Sequence, residues 1–104
     1  MSTQLKTRYL FIVRHGERMD HLPDEYPEYA DHPDAPLTPK GHEQAELTAV
    51  FLKQYISNLG GECPVRTESS PFNRCLQTAM AINKHLSLTE STINYRFMEI
   101  MFPD

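Results

Sequence analysis

Apolar residues along this chain fall into one dense run and two spaced stripes. Tyr9-Leu10-Phe11-Ile12-Val13 is continuous and apolar between Arg8 and Arg14. Its β-branched and aromatic content predicts a strand buried on both faces, as in a parallel α/β sheet. Farther on, Ala45, Ala49, Leu52, Ile56 and Leu59 recur at alternating spacings of four and three. Such residues share one face of a helix, with Glu43, Glu46, Lys53 and Asn58 off the stripe. Thr38 can cap that helix, Pro39 fits its first turn, and Gly60-Gly61 ends it, so it is expected over Thr38 to Gly60. A helix packed on a sheet accounts for this whole segment. A second helix is predicted from Phe72 to His85, with Cys75, Ala79, Ile82 and Leu86 on one face. Pro64 to Ser69 is expected as the second strand, although Val-Arg-Thr-Glu-Ser is polar for a buried one. Ser70-Pro71 turns the chain, and Thr92 to Tyr95 is expected as a short third strand. The order strand–helix–strand–helix–strand implies a parallel sheet with right-handed crossovers, an α/β fold.

Residues 20–36 interrupt this pattern. They hold four prolines, six acidic residues and no Lys or Arg. Proline at that density forbids regular helix or central strand, so a solvated, acidic loop is expected, a functional flap or else a disordered segment. The chain has 104 residues, enough for one small domain. Its hydrophobic share is 39%, its charged share 23% and its net charge -4, a soluble, globular balance. Without a large basic patch, nucleic-acid binding is not expected. Tyr9 to Val13, the longest apolar run, is too short to span a membrane or serve as a signal core. Cys63 and Cys75 form no close metal-ligand pair, and Cys75 reads as a packed, reduced thiol. A cytoplasmic protein is therefore expected.

Candidate chemistry sits where the first strand ends. Arg14-His15-Gly16 would lie at the C-terminal edge of the sheet, where open α/β sheets bind ligands. Arg74, after the second strand, would reach the same edge. Arginine forks suit a phosphoryl group, and a neutral imidazole can carry one for a moment. Glycine would let the backbone turn and approach the ligand. Each piece alone has a plainer reading: a strand end with a surface histidine, and a solvated arginine at a helix start. His15, His21, His32 and His42 show no metal-site spacing, and no metal is expected.

Three segments occur together: Val13-Arg14-His15-Gly16-Glu17-Arg18, Leu37-Thr38-Pro39-Lys40-Gly41-His42-Glu43-Gln44-Ala45, and Ser70-Pro71-Phe72-Asn73-Arg74-Cys75-Leu76-Gln77-Thr78-Ala79. In order and spacing they resemble the histidine phosphatase superfamily, which includes cofactor-dependent phosphoglycerate mutases and many phosphatases. The resemblance implies a three-layer, parallel-sheet α/β fold. Residues 1–104 would be the N-terminal part of such a domain, stopping after the third strand. It also implies that His15 accepts the phosphoryl group and that Arg14 and Arg74 clamp it. Glu99, in Phe97-Met98-Glu99, stands where the family has its proton donor; its plainer reading is a surface carboxylate. Where mutases continue with a small polar residue and Trp-Asn, this chain has Glu17-Arg18-Met19-Asp20, which argues against mutase activity. That segment, with Ser-Pro-x-x-Arg-Cys-x-Gln-Thr-Ala, looks closer to the suppressor-of-T-cell-receptor-signalling phosphatases. Arg18 would then add a third cation to the pocket, or else lie in solvent.

The implied activity is hydrolysis of a phosphomonoester, a small molecule or a phosphoprotein, through a phosphohistidine, with no metal or organic cofactor required. The acidic flap would disfavour polyanions and tolerate a lone phosphate on a neutral or basic carrier. The family's second pocket histidine has no counterpart here, since His21, His32, His42 and His85 each read as surface residues. A catalytically inactive phosphate-binding or partner-docking fragment is therefore the rival reading. An uncovered sheet would also offer a route to self-association.

Overall fold

The computed structural model describes residues 9–59, 64–88 and 91–97. Its longest element is α1, Pro39–Asn58. The Thr38 side chain caps it, accepting a hydrogen bond from the Gly41 amide at 3.0 Å. Capping satisfies one of the free N–H groups of the first turn, and Pro39 loses nothing there. The expected stripe faces inward: Ala45, Ala49 and Leu52 are buried, and Ile56 and Leu59 are half-buried. Gly60 and Gly61 lie outside the described residues.

The second helix, α2, spans Asn73–Leu86. Its buried row is Arg74, Thr78 and Ile82, while Cys75, Ala79 and Leu86 are only half-buried. The apolar stripe expected from the sequence is thus rotated toward a row with two polar members. That row is tolerable because both are provided for locally. Thr78 Oγ1 donates to the Arg74 carbonyl at 2.8 Å, and the Arg74 guanidinium lies 4.4 Å from the centre of the Phe72 ring. The helix ends at Ser87, in the left-handed region with φ 56°, where the Leu88 amide donates to the Asn83 carbonyl at 2.8 Å. The core joins Ala49 and Leu52 of α1 to Ile82 of α2, with Val13, Ile56 and Leu86 packed against it.

Two short strands, β1 (Thr67–Ser69) and β2 (Ser91–Ile93), pair in parallel, with Thr67 opposite Ser91 and Ser69 opposite Ile93. Parallel pairing across α2 is the βαβ arrangement that the element order implied. Both strands are shorter than expected. Thr67 Oγ1 lies 2.8 Å from Asn83 Oδ1 and 3.0 Å from Ser91 Oγ, so the polar character of β1 serves bonds to α2 and β2. Instead of continuing as strand to Tyr95, the chain enters a 3-10 turn at Tyr95–Phe97.

Tyr9 to Val13 departs most from expectation. Among the described residues no strand pairs with it, and Leu10 and Ile12 are 85% and 90% exposed. The alternate positions turn inward: Phe11 meets the Tyr55 ring edge-on at 5.7 Å and Val13 packs on the core. The segment keeps the two-residue alternation of an extended chain and covers one face only. Burial on both faces needs neighbours on both sides, and among the described residues the contacts lie on one side, with Tyr55 and the helical core.

Residues 20–36 form neither α-helix nor strand, only 3-10 turns at Met19–His21 and Pro27–Tyr29. The loop is nevertheless closed at its base. Met19 and Pro36 share a backbone bond of 2.9 Å, and Arg18 and Leu37 form an antiparallel bridge. Among the described residues, no helix is long and apolar enough to cross a membrane.

Candidate functional site

The segment Arg14–Glu17 runs over the first turn of α1. Contact is so close that a Cβ on Gly16 would stand 2.6 Å from the Gly41 carbonyl oxygen, and one on Gly41 would stand 2.2 Å from the Glu17 carbonyl oxygen. Both distances are shorter than any real Cβ contact, so each position needs glycine. Gly16 therefore serves contact with the helix. Polar bonds hold the crossing. The Glu17 amide donates to Gln44 Oε1 at 2.9 Å, the Thr38 amide donates to the Glu17 carbonyl at 2.9 Å, and Thr38 Oγ1 donates to Glu17 Oε1 at 2.8 Å. Gln77 Oε1 accepts from the Leu37 amide at 2.8 Å, tying α2 into the same assembly. Thr38, Gly41, Gln44 and Gln77 stand in the motif segments, but the sequence offers no sign of these pairings. Only side chains meeting across the fold reveal them.

His15 is half-buried at this crossing, with Nδ1 2.8 Å from the Gly16 carbonyl oxygen. A carbonyl can only accept, so Nδ1 carries the proton and a neutral ring keeps its lone pair on Nε2. Burial pushes the imidazole below its ordinary pKa. The Gly16 bond opposes this, and the charges of Arg74, Arg18 and Arg14 add to it in that order. The three arginines named from the sequence thus act on one imidazole.

The arginines differ in how they are held. Arg74 is only 4% exposed, and its Nε–H, also buried, has no partner among the described residues. Its terminal nitrogen donates to the Pro33 carbonyl at 3.4 Å. Arg18 gives Nε–H to Asp20 Oδ1 at 2.8 Å and a second bond to Asp20 Oδ2, a two-point ion pair. The Arg18 fork holds the Asp20 carboxyl below the usual carboxylate range. Arg14 is exposed and makes no hydrogen bond among the described residues.

The acidic loop meets the site at both ends: Asp20 on Arg18, and Asp34 on the Asn73 amide at 2.7 Å. Asp24, Glu25, Glu28 and Asp31 are exposed. His21, His32 and His42 are exposed too, whereas the half-buried His85 pairs with Glu46 across the two helices. Among the described residues, no three His, Cys, Asp or Glu side chains gather as a metal-ion site. Cys75 is a free, half-buried thiol. Glu99 and Cys63 lie outside the described residues.

Solved structures share this fold. Mycobacterial glucosyl-3-phosphoglycerate phosphatase in complex with VO3 is similar at 22% identity and a TM-score of 0.58, over 82% of this chain and 35% of that one. Its native structure is similar at 20% identity and a TM-score of 0.57, with the same coverage of each chain, 82% and 35%. A structure described as mycobacterial hydrolase 1 matches at 22% identity, a TM-score of 0.58, and 82% and 35% coverage. This chain therefore spans about a third of their length, and at such identities the likeness speaks to fold. No curated protein matches significantly. The sequence model of the histidine phosphatase superfamily (branch 1) matches residues 10–104, a span that takes in all three motif segments and every arginine around His15. By that match and this fold, the chain belongs to the histidine phosphatase superfamily, branch 1.

Proposed function

We propose that the protein is a phosphomonoester hydrolase that works through a phosphohistidine on His15. One observation carries this reading: a half-buried imidazole, its Nδ1 tied to a carbonyl, lies within the field of three guanidinium groups. Such a ring is kept neutral, and its free Nε2 lone pair is aimed by the bond on the other nitrogen. Nε2 attacks phosphorus, a P–N bond forms, and the bond to the leaving oxygen breaks. Arg74 and Arg14 hold the equatorial oxygens, where charge-assisted donors count most. Arg18 adds positive charge, with its fork steadied by Asp20. Glu99 protonates the leaving oxygen. Water then breaks the P–N bond and releases phosphate.

Arg14-His15-Gly16-Glu17-Arg18-Met19-Asp20 argues for a phosphatase of the suppressor-of-T-cell-receptor-signalling type over a mutase. The exposed carboxylates of the loop favour a single phosphate on a neutral or basic carrier, a small molecule or a phosphoprotein. A phosphate-binding module is the second reading. The same three arginines around His15 would hold a phosphate whether or not the ring attacks it.

The test is hydrolysis of an aryl phosphate by the protein beside His15→Ala, with acid-labile phosphohistidine trapped during turnover. The expected result is a loss of at least about a thousandfold in the variant. Equal activity in both proteins would exclude His15 as nucleophile. No activity in either, with phosphate still bound, would favour the binding module.

A further inference from the structure

We propose that Asp34, in the acidic loop, is the positioning residue of the arginine clamp: seated on the N-terminus of α2, it sets where Arg74 stands relative to His15. This rests on the reading of Arg74 as a phosphate clamp and goes beyond it. Helix α2 starts without a side-chain cap of its own, since Phe72 occupies the cap position. Asp34, far upstream in the chain, supplies the cap. Its Oδ1 accepts from the Asn73 amide at 2.7 Å, its Oδ2 accepts from Asn73 Nδ2 at 3.2 Å, and its carbonyl lies 3.4 Å from that same Nδ2. A carboxylate on free amides at a helix N-terminus is doubly favoured, by hydrogen bonding and by the helix dipole.

The next helical residue is Arg74, and the residue before Asp34 holds it. The Pro33 carbonyl accepts from the Arg74 terminal nitrogen at 3.4 Å. Two consecutive loop residues thus grip the first two residues of α2. Otherwise Arg74 rests on the Phe72 ring, and its buried Nε–H has no partner among the described residues. A guanidinium with so few bonds of its own takes its position from the backbone that carries it. Asp34 pins that backbone.

The experiment follows the His15 ring protons through a pH titration by NMR in the intact protein. It compares wild type, Asp34→Ala, Asp34→Asn and Arg74→Ala, with inorganic phosphate affinity measured in each. The charged groups acting on His15 are Arg74, Arg18 and Arg14. Removing Arg74 should therefore raise the His15 midpoint. Asp34→Ala should raise it too, with Arg74 still present, and weaken phosphate binding on the order of tenfold. The sign is decisive, because losing a carboxylate by itself would push the midpoint down. Asp34→Asn keeps the acceptor oxygen and should restore most of both properties. Adding Asp34→Ala to Arg74→Ala should cost no further affinity.

A midpoint and a phosphate affinity unchanged in Asp34→Ala, with only stability reduced, would overturn the proposal. If that variant does not fold, Asp34→Glu decides. It keeps the charge but shifts the carboxylate by one methylene, and an unmoved midpoint and affinity would be equally fatal. Wild type that binds no phosphate would overturn the clamp reading of Arg74, while the His15 midpoints would still judge the hold of Asp34 on Arg74.

Discussion

His15 shows how a single side chain is tuned by its surroundings. Burial and three arginine charges favour its neutral form, against the pull of the Gly16 carbonyl. The sign of the pH effect follows. Between the lowered folded midpoint and the unfolded value of about 6.5, the unfolded chain binds more protons. Stability contributed by this position should thus rise with pH through that window and level off above it. Urea titrations at several pH values, wild type against His15→Ala, should show their difference growing with pH and then flattening. A difference that shrinks with rising pH would contradict the lowered midpoint. Identity and spacing made His15, Arg14 and Arg74 candidates in the sequence. The Asp20 grip on Arg18 was not recognisable, because a nearby acid in a flap looks the same whether it pairs or faces water.

At the scale of elements, the first turn of α1 is both helix start and platform. Thr38 caps the helix and also bonds Glu17, so Thr38→Ala should cost about 1 kcal/mol in denaturant unfolding and loosen the His15 segment. Gly41 sharpens the point. In an open helix, Gly→Ala would stabilise by about 1 kcal/mol. Here the new Cβ would meet the Glu17 backbone, so Gly41→Ala should instead destabilise by about 1–3 kcal/mol. A more stable variant would show that the crossing can open without cost. Helix α1 was predictable because cap, proline and stripe agree. The stripe on α2 was misplaced because hydrophobicity cannot foresee that Arg74 finds a ring and Thr78 a carbonyl.

For the molecule as a whole, stability depends on a small core shared by two helices. Leu52 and Ile82 are each 6% exposed and face one another's helices in one cluster. Truncating either to Ala should cost about 2–5 kcal/mol. Hydrogen exchange should then show α1 and α2 losing protection together; protection lost in one helix alone would mean two separate cores. The His85–Glu46 pair across these helices lies at the surface, where such pairs contribute little. Leu10, Ile12, Phe51 and Tyr95 leave apolar area exposed among the described residues, which the dense run at Tyr9 to Val13 did not foretell.

The family and the helix–strand–helix–strand order from α1 to β2 were legible in the sequence by itself, and the sequence also named the candidate site residues. They rest on local chemistry: caps, prolines, apolar periods, and arginines beside a histidine in a recognisable spacing. Only the tertiary structure decided how those residues are held. That Gly16 and Gly41 meet, that Gln44 braces the His15 segment and Gln77 the chain at Leu37, and that Asp34 caps a helix far along the chain are contacts between remote segments. The physical reason is that such contacts depend on backbone distance in space, for which a linear order of residues carries no local signature.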